Sequence, residues 1–343
     1  MEKIETQCKA IDLMTDGGLA TGTITQIFGE KALGKSLVSF QAAYSTAAAG
    51  KSAIILDTEQ SYHSYLIPYW KERMSRRFGK EVPVVEARLS RRSLEKEVER
   101  EKPRSERRKF VPRSQVLTAI SSALNRLEIS YSQSQLDSAV DVFASDLFLE
   151  AAEVREPSVV VVEVPEVADL LGMHGVEGEK AVSDGHRVEL HLLRTPTYHS
   201  MLRQLVKDTD AKLVLYDSIS APFKSSFPST QDLPARSASL SMMLSHAQRL
   251  CVEYAIAVLA IAHVSVSPIN PWIRRPYGGA ILGYEAKFSF ELTGGGGKRE
   301  EKATPVNPED ECEDARRVWL ARHPAEADYS KYGYVRIDVE GVH

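Results

Sequence analysis

Four short apolar runs punctuate the chain: TITQIF (23–28), SAIILD (52–57), KLVLYD (212–217) and AIAVLAIA (255–262). A strand exposed on one face alternates apolar and polar side chains, whereas a strand covered on both faces loses that alternation. These runs are nearly continuous and rich in β-branched residues, so each reads as a strand buried on both sides. Helical spacing fills the stretches between them. Residues 35–49, KSLVSFQAAYSTAAA, read as a helix stopped by Gly50, where a left-handed C-cap is expected. Such an order predicts an α/β fold, a mainly parallel twisted sheet flanked by helices on both faces.

The pattern changes in two places. Toward the C-terminus, AKFSFELT, GGGGK, RRVWLAR and YGYVRIDVE predict strands joined by flexible turns, an antiparallel extension of the sheet. Residues 71–113 carry sixteen Lys or Arg against eight Glu, and amphipathic helical patterns follow at 114–128 and 133–152. PSVVVVEV (157–164) then predicts another strand. The segment 75–185 is accordingly expected to be a charged, helical insertion within a single domain spanning 1–343.

Composition narrows the class. The 343 residues are 43% hydrophobic and 26% charged with a formal net charge of −4, so the bulk balance does not point to nucleic acid. Cys8, Cys251 and Cys312 are far apart and form no metal-ligand spacing, which fits a reduced, cytoplasmic chain. The N-terminal MEKIETQCKA mixes charges without an apolar core, and the longest apolar stretch, Tyr254 to Ala262, is far short of the ~20 residues of a membrane helix. No membrane partner is expected.

The chemistry starts at GEKALGKS, the eight residues Gly29, Glu30, Lys31, Ala32, Leu33, Gly34, Lys35 and Ser36, directly after the first apolar run. In a GxxxxGK[ST] loop, successive backbone N–H groups point into a concavity that holds phosphate oxygens, and the following helix adds its positive end. Lys35 is expected to reach the β- and γ-phosphates of ATP, and Ser36 to bind Mg²⁺. Asp217, at the end of KLVLYD, suits a second Mg²⁺ contact through water. A carboxylate is also needed to orient the attacking water. Asp57 and Glu59, in IILDTEQ, both qualify, on a strand expected beside that of the phosphate loop.

Together these stretches resemble the RecA/RadA recombinase family, most of all its archaeal branch. DGGLATGTITQIFGEKALGKS is similar to the family's nucleotide-binding start, and IILDTEQ to the strand carrying its catalytic glutamate, which maps onto Glu59. LVLYDSISAPFKSSFPSTQDLPARSASLSMMLSHAQRL resembles the metal-site strand with the first DNA-binding loop and its helix. IAVLAIAHVSVSPINPWIRRPYGGAILGYEAKFSFEL resembles the sensor strand, the second DNA-binding loop and the segment that closes it. The likeness covers about 10–70 and 187–343. With no domain expected ahead of residue 10, the chain looks like the short paralogues, RadB and its relatives, which consist of the ATPase core without the N-terminal helical domain.

The resemblance implies a RecA-like ATPase core, ATP and Mg²⁺ as ligands, DNA as partner with single strands favoured, and a part in homologous recombination and repair. A full-length RadA-type recombinase or another paralogue is a further implied partner. Lys224 and Arg236 match basic positions of the first DNA loop; Arg274 and Arg275, beside Trp272 and Tyr277, fall in the second. One position departs from the family: its usual Asn-Gln at the end of the sensor strand is here Ala262-His263. His263 either senses the γ-phosphate in place of the Gln or is a buried, satisfied histidine. Phe-x-x-Ala, the family's polymerisation motif, occurs at Phe40–Ala43 and Phe148–Ala151, where core packing is the favoured reading at both. The basic run 71–113 reads as a solvated, salt-bridged segment in preference to an accessory DNA-binding arm. Two other functions compete with the recombination role: a regulatory ATPase of the clock-protein type, and an ATP-binding docking module without hydrolysis.

Overall fold

A computed structural model describes residues 2–62, 66–91, 132, 147–150, 156–164, 166–175, 177–183, 187–193, 200–227, 229, 232–266, 274–277, 279–294 and 303–343. A two-stranded ribbon, β1 (Lys3–Ile4) and β2 (Leu19–Ala20), brackets helix α1 (Lys9–Met14). The strand β3 (Ile24–Gly29) leads through the glycine loop into α2 (Lys35–Ala48), then β4 (Ser52–Asp57) and α3 (Leu66–Phe78). Next come β5 (Val84–Arg91), β6 (Leu147–Glu150), β7 (Val159–Glu163) and α4 (Val167–Met173), followed by a hairpin of β8 (Glu177–Ser183) and β9 (Arg187–Leu193). Helix α5 (Met201–Thr209), β10 (Ala211–Asp217), α6 (Ala221–Ser226), α7 (Leu233–Glu253) and β11 (Ala257–Val266) complete the central motif. The remainder comprises β12 (Arg274–Pro276), α8 (Gly279–Glu285), β13 (Phe288–Thr293), β14 (Thr304–Pro305), β15 (Arg316–Arg322), β16 (Lys331–Val335), β17 (Ile337–Asp338) and β18 (Gly341–Val342).

Twelve strands form one sheet in the order β14-β16-β15-β13-β3-β11-β10-β4-β7-β5-β6, with β12 paired to β11. From β13 to β5 every pairing is parallel; β12, β15, β16 and β6 bring in antiparallel pairs. All six residues of β3 and of β4 are buried, which is why their sequences carry no polar alternation. Two apolar layers cover the sheet. Phe40, Ala43 and Tyr44 of α2 pack on one face with Ile55, Leu215 and Ile261; α4, α5 and α7 cover the other over Ile54, Tyr216 and Val258. Gly50 is left-handed at φ +91°, as the helix-stop pattern predicts, and the antiparallel extension joins the sheet through β13 and β15. This is the α/β architecture expected from the sequence, a RecA-like core with a C-terminal antiparallel extension.

Two expectations need correction. Strand β4 does not lie beside β3: β11 and β10 stand between them, so the connection through α2 skips two strands. Local pattern reports which runs are strands, but their spatial order depends on later chain filling the gap. Residues 147–150, inside the helix expected at 133–152, instead form β6, antiparallel to β5. The rest of that helix and all of the helix at 114–128 lie outside the described residues, as do 92–113 of the basic run. Within the segment 75–185, β5 and β7 belong to the central sheet itself, β7 pairing directly with β4. Phe40 and Ala43 are fully buried in the core, while Phe148 stands on β6.

Candidate functional site

Parallel strands point their carboxyl ends the same way, and the loops leaving β3, β4, β10 and β11 meet there. They line a cleft of about 480 Å³ that includes Lys35, Ser36, Glu59, Asp217 and His263. With Lys31, Ala32 and Gly34 of the loop, eight of the residues singled out from sequence converge in one cavity, although they are separated by up to 232 positions.

The glycine loop is built to leave donors open. Gly34 is the N-cap of α2 with φ +91°, and no side chain caps the helix. The first N–H groups of a 14-residue helix therefore face the cleft without a protein acceptor on the cap side, which suits an anion. At that φ any side chain is strained, and a Cβ at Gly34 would also meet the Ile337 Cδ1 at 2.2 Å and push it aside. Gly29 is equally confined, because its Cβ would stand 2.4 Å from the Leu292 carbonyl of β13. Lys35 is buried and folds back on the loop, donating to the Glu30 carbonyl at 2.5 Å. Burial lowers its pKa, opposed by the charges of Asp217 and Glu59.

Asp217 sits at the C-terminal end of β10, 2% exposed, and its peptide bond to Ser218 is cis. Burial raises its pKa to about 6; the Tyr62 hydroxyl, which donates to Oδ2 at 2.6 Å, and the Ser36 hydroxyl offset part of that effect. Tyr62 in turn is aligned by Asp57. That carboxylate accepts from the backbone N–H groups of Glu59 (3.2 Å), Ser61 (3.0 Å) and Tyr62 (2.9 Å), shaping the turn after β4. Asp57, one of the two carboxylates considered for the attacking water, is therefore engaged in holding backbone. Phe40 and Trp70 pack on the Tyr62 ring at centroid separations of 6.1 and 5.5 Å.

Glu59 is the carboxylate that reaches the cleft. Its Oε1 accepts from the Ser218 hydroxyl and stands 2.6 Å from the His263 Nε2. Burial pushes its pKa up, but these two hydrogen bonds and the His263 charge outweigh it and leave the net shift downward. His263 lies within β11, paired with Gly29 of β3, with its backbone N–H on the Ser220 hydroxyl at 3.1 Å and its carbonyl accepting from the Tyr277 N–H at 2.7 Å. The histidine thus touches the candidate water-orienting carboxylate on one side and the chain after β12 on the other.

The four basic residues expected at DNA occupy different settings. Lys224 is exposed on α6. Arg236, in the first turn of α7, donates to the Tyr277 hydroxyl at 2.7 Å and lies 4.8 Å from that ring's centroid, tying the first loop's helix to the second loop. Arg274 and Arg275 are on β12, where their backbone pairs with Val266 and Ser265 of β11; Trp272 lies outside the described residues. Sequence reasoning missed Tyr62, Ser218, Ser220 and, from the C-terminal strands, Arg316 and Ile337. Tyr62 follows Asp57 closely enough to have been considered; Arg316 enters the cleft through the sheet pairing of β15, and Ile337 through the β17–β18 hairpin held against Gln41 of α2.

Among the described residues no helix is long and apolar enough to cross a membrane, and no cluster of His, Cys, Asp and Glu has the make-up of a metal site. The donor set of the cleft nevertheless fits a nucleotide with Mg²⁺: an uncapped helix N-terminus, a lysine, a serine hydroxyl and a buried carboxylate.

Comparison with known proteins agrees with this geometry. DNA repair and recombination proteins RadB from Halobacterium salinarum and Methanococcoides burtonii are 45% and 41% identical over 56 and 58 residues. Those stretches make up 16% and 17% of this chain, and span about a quarter of the relatives' own length, 24% and 26%. The DNA repair protein rhp51 of Schizosaccharomyces pombe is 27% identical over 143 residues, 39% of this chain and 37% of that one. A crystal structure of the RadB recombinase superposes over 99% of this chain and 98% of its own with a TM-score of 0.51, at 16% identity, a likeness of fold. The sequence model of the Rad51 family matches residues 1–100 and 180–315, which takes in the glycine loop, Glu59, Asp217, His263 and the loops beyond them. With its signature stretches folded around one cleft, the chain belongs to the Rad51 family of RadA/RadB-like recombinases.

Proposed function

We propose that this protein binds ATP with Mg²⁺ in the cleft, hydrolyses it slowly, and acts on DNA as a recombinase paralogue or mediator in homologous recombination and repair. The observation that carries the reading is the convergence of Lys35, Ser36, Glu59, Asp217 and His263 on one cavity at the carboxyl edge of a parallel sheet. In this reading Gly29 to Ser36 hold the triphosphate, with Lys35 leaving the Glu30 carbonyl for the β- and γ-phosphates. Ser36 and Asp217 hold Mg²⁺, which when bound neutralises phosphate charge. Tyr62 keeps Asp217 oriented, and Glu59 orients the attacking water once His263 and Ser218 yield its Oε1. His263 then acts as the sensor, because the same residue holds the chain after β12 through its carbonyl.

Lys224, Arg236, Arg274 and Arg275 are assigned to DNA, with single strands preferred, and a RadA-type recombinase or second paralogue is the expected protein partner. The relatives' names, DNA repair and recombination proteins, support this role. A cytoplasmic site of action and a single core over 1–343 with an added segment inside 75–185 belong to the same proposal. The engagement of Glu59 by two neighbours favours slow turnover, and in the limit the ATP-binding docking module, over a fast ATPase.

The decisive measurement is ATPase rate with and without single-stranded DNA, for the natural protein and for Glu59→Gln. A rate that rises with DNA and collapses in the variant is expected; equal rates in both proteins would sink the assignment of Glu59. For DNA itself, the double variant Arg274→Ala, Arg275→Ala is expected to lower the slope of log affinity against log salt by about two, and an unchanged slope removes this loop from the interface.

A further inference from the structure

Arg316 opens β15, one residue past the part of the chain matched by the family model, yet its side chain lies in the cleft with Lys35 and Ser36. Its Nη1 donates to the Leu33 carbonyl of the glycine loop at 2.9 Å. A guanidinium has five N–H donors and is charged at any accessible pH, so this one bond leaves most of its capacity unspent. Among the described residues no carboxylate makes an ion pair with it. It is half-buried, and loss of water lowers its pKa. A partly desolvated cation without a counter-ion, next to an uncapped helix N-terminus, is costly unless an anion arrives.

The surrounding strands hold this arrangement in place. Ile337 of β17 packs over Gly34, and the β17–β18 hairpin is fastened to the helix that follows the loop. Gln41 of α2 donates to the Val342 carbonyl and accepts from its N–H, both at 2.9 Å. Arg77 of α3 donates to the same carbonyl at 2.8 Å. The C-terminal extension is therefore a fixed wall of the cleft, with a cation at its edge and an apolar side chain beside it.

We infer that Arg316 is a phosphate-binding residue, a second cation that completes, from the C-terminal extension, the anion site begun by Lys35 and the N-terminus of α2. Its free N–H groups take phosphate oxygens while Nη1 stays on Leu33. This rests on the nucleotide-binding reading of the cleft.

The test separates charge from stapling. Binding of ADP and of inorganic tripolyphosphate is measured by titration calorimetry for the natural protein, Arg316→Gln, Arg316→Lys and Lys35→Ala, with ligand-free melting temperature followed in parallel. Glutamine keeps an N–H for the Leu33 carbonyl but no charge; lysine keeps charge. Expected is a loss of about ten- to a hundredfold in affinity for both ligands in Arg316→Gln, partial recovery in Arg316→Lys, and little change in melting temperature. Affinity in Arg316→Gln equal to the natural protein's, with Lys35→Ala still defective, overturns the inference while leaving the cleft reading intact. Failure of the natural protein to bind either ligand overturns both.

Discussion

Tyr216 and Asp217 are neighbours on β10, yet they stand in two polar constellations of opposite character on the two faces of the sheet. Tyr216 faces a closed chain. Its hydroxyl lies 3.0 Å from the His174 Nε2, the His174 and His246 Nδ1 atoms are 2.7 Å apart, and the His246 Nε2 is 3.2 Å from the Ser200 hydroxyl at the N-cap of α5. Burial lowers the pKa of His174 well below its ordinary value and that of His246 to about 4. Both rings are neutral, and with one proton each they hydrogen-bond end to end. Asp217 faces the cleft, where the glycine-loop donors, Lys35 and Arg316 have hydrogen-bonding capacity left over. Closed polarity specifies packing; open polarity is where the proposed ligand would bind.

The contrast makes quantitative predictions. The largest concerns the open side: Lys35→Ala is expected to weaken ATP binding by about a hundredfold or more while leaving the ligand-free unfolding free energy nearly unchanged. A comparable loss of fold stability would show that the cleft is structural after all. Next is the closed side, where His246→Leu strands the His174 and Ser200 polar groups. It is expected to cost about 3 kcal/mol of stability in denaturant titration with nucleotide affinity retained.

The same cluster sets a pH dependence. His246 titrates lower in the folded protein, about 4, than its ordinary 6.5, so the unfolded chain binds the extra proton first. Its contribution, on the order of 3 kcal/mol, is complete above pH 6.5 and is lost as pH falls from there toward 4. His174 acts in the same direction. Stability curves measured across this window for the natural protein and for His246→Leu are expected to converge at acid pH; parallel curves would refute a neutral pair.

The smallest effect concerns the support of Asp217 on the open side. Tyr62→Phe removes the donor to Asp217 Oδ2 and is expected to cost about 1–3 kcal/mol in stability and to weaken Mg²⁺-dependent nucleotide binding while sparing Mg²⁺-free binding. If both binding modes weaken equally, Tyr62 supports the loop and not the metal site.

How much of this was legible before folding depends on how local its cause is. The strands at 23–28, 52–57 and 212–217 were readable because burial on both faces erases alternation, and the glycine turn of GEKALGKS ahead of α2 because a left-handed glycine before a helix is a local signal. Gly50 was readable because helix stops are local. After Phe78 the reading was mixed: the strand expected at 157–164 is β7, whereas helical periodicity at 133–152 masked a strand at 147–150 that pairs with β5.

Short-range pattern and ordered motifs were enough for the class of fold, the glycine loop between β3 and α2, and the family. Tertiary structure alone decided the strand order that separates β3 from β4, the contact of His263 with Glu59 across 204 positions, and the return of Arg316 to Leu33 across 283. Those outcomes depend on which distant strands pair, and pairing is settled by the energy of the whole sheet, which no window of sequence contains.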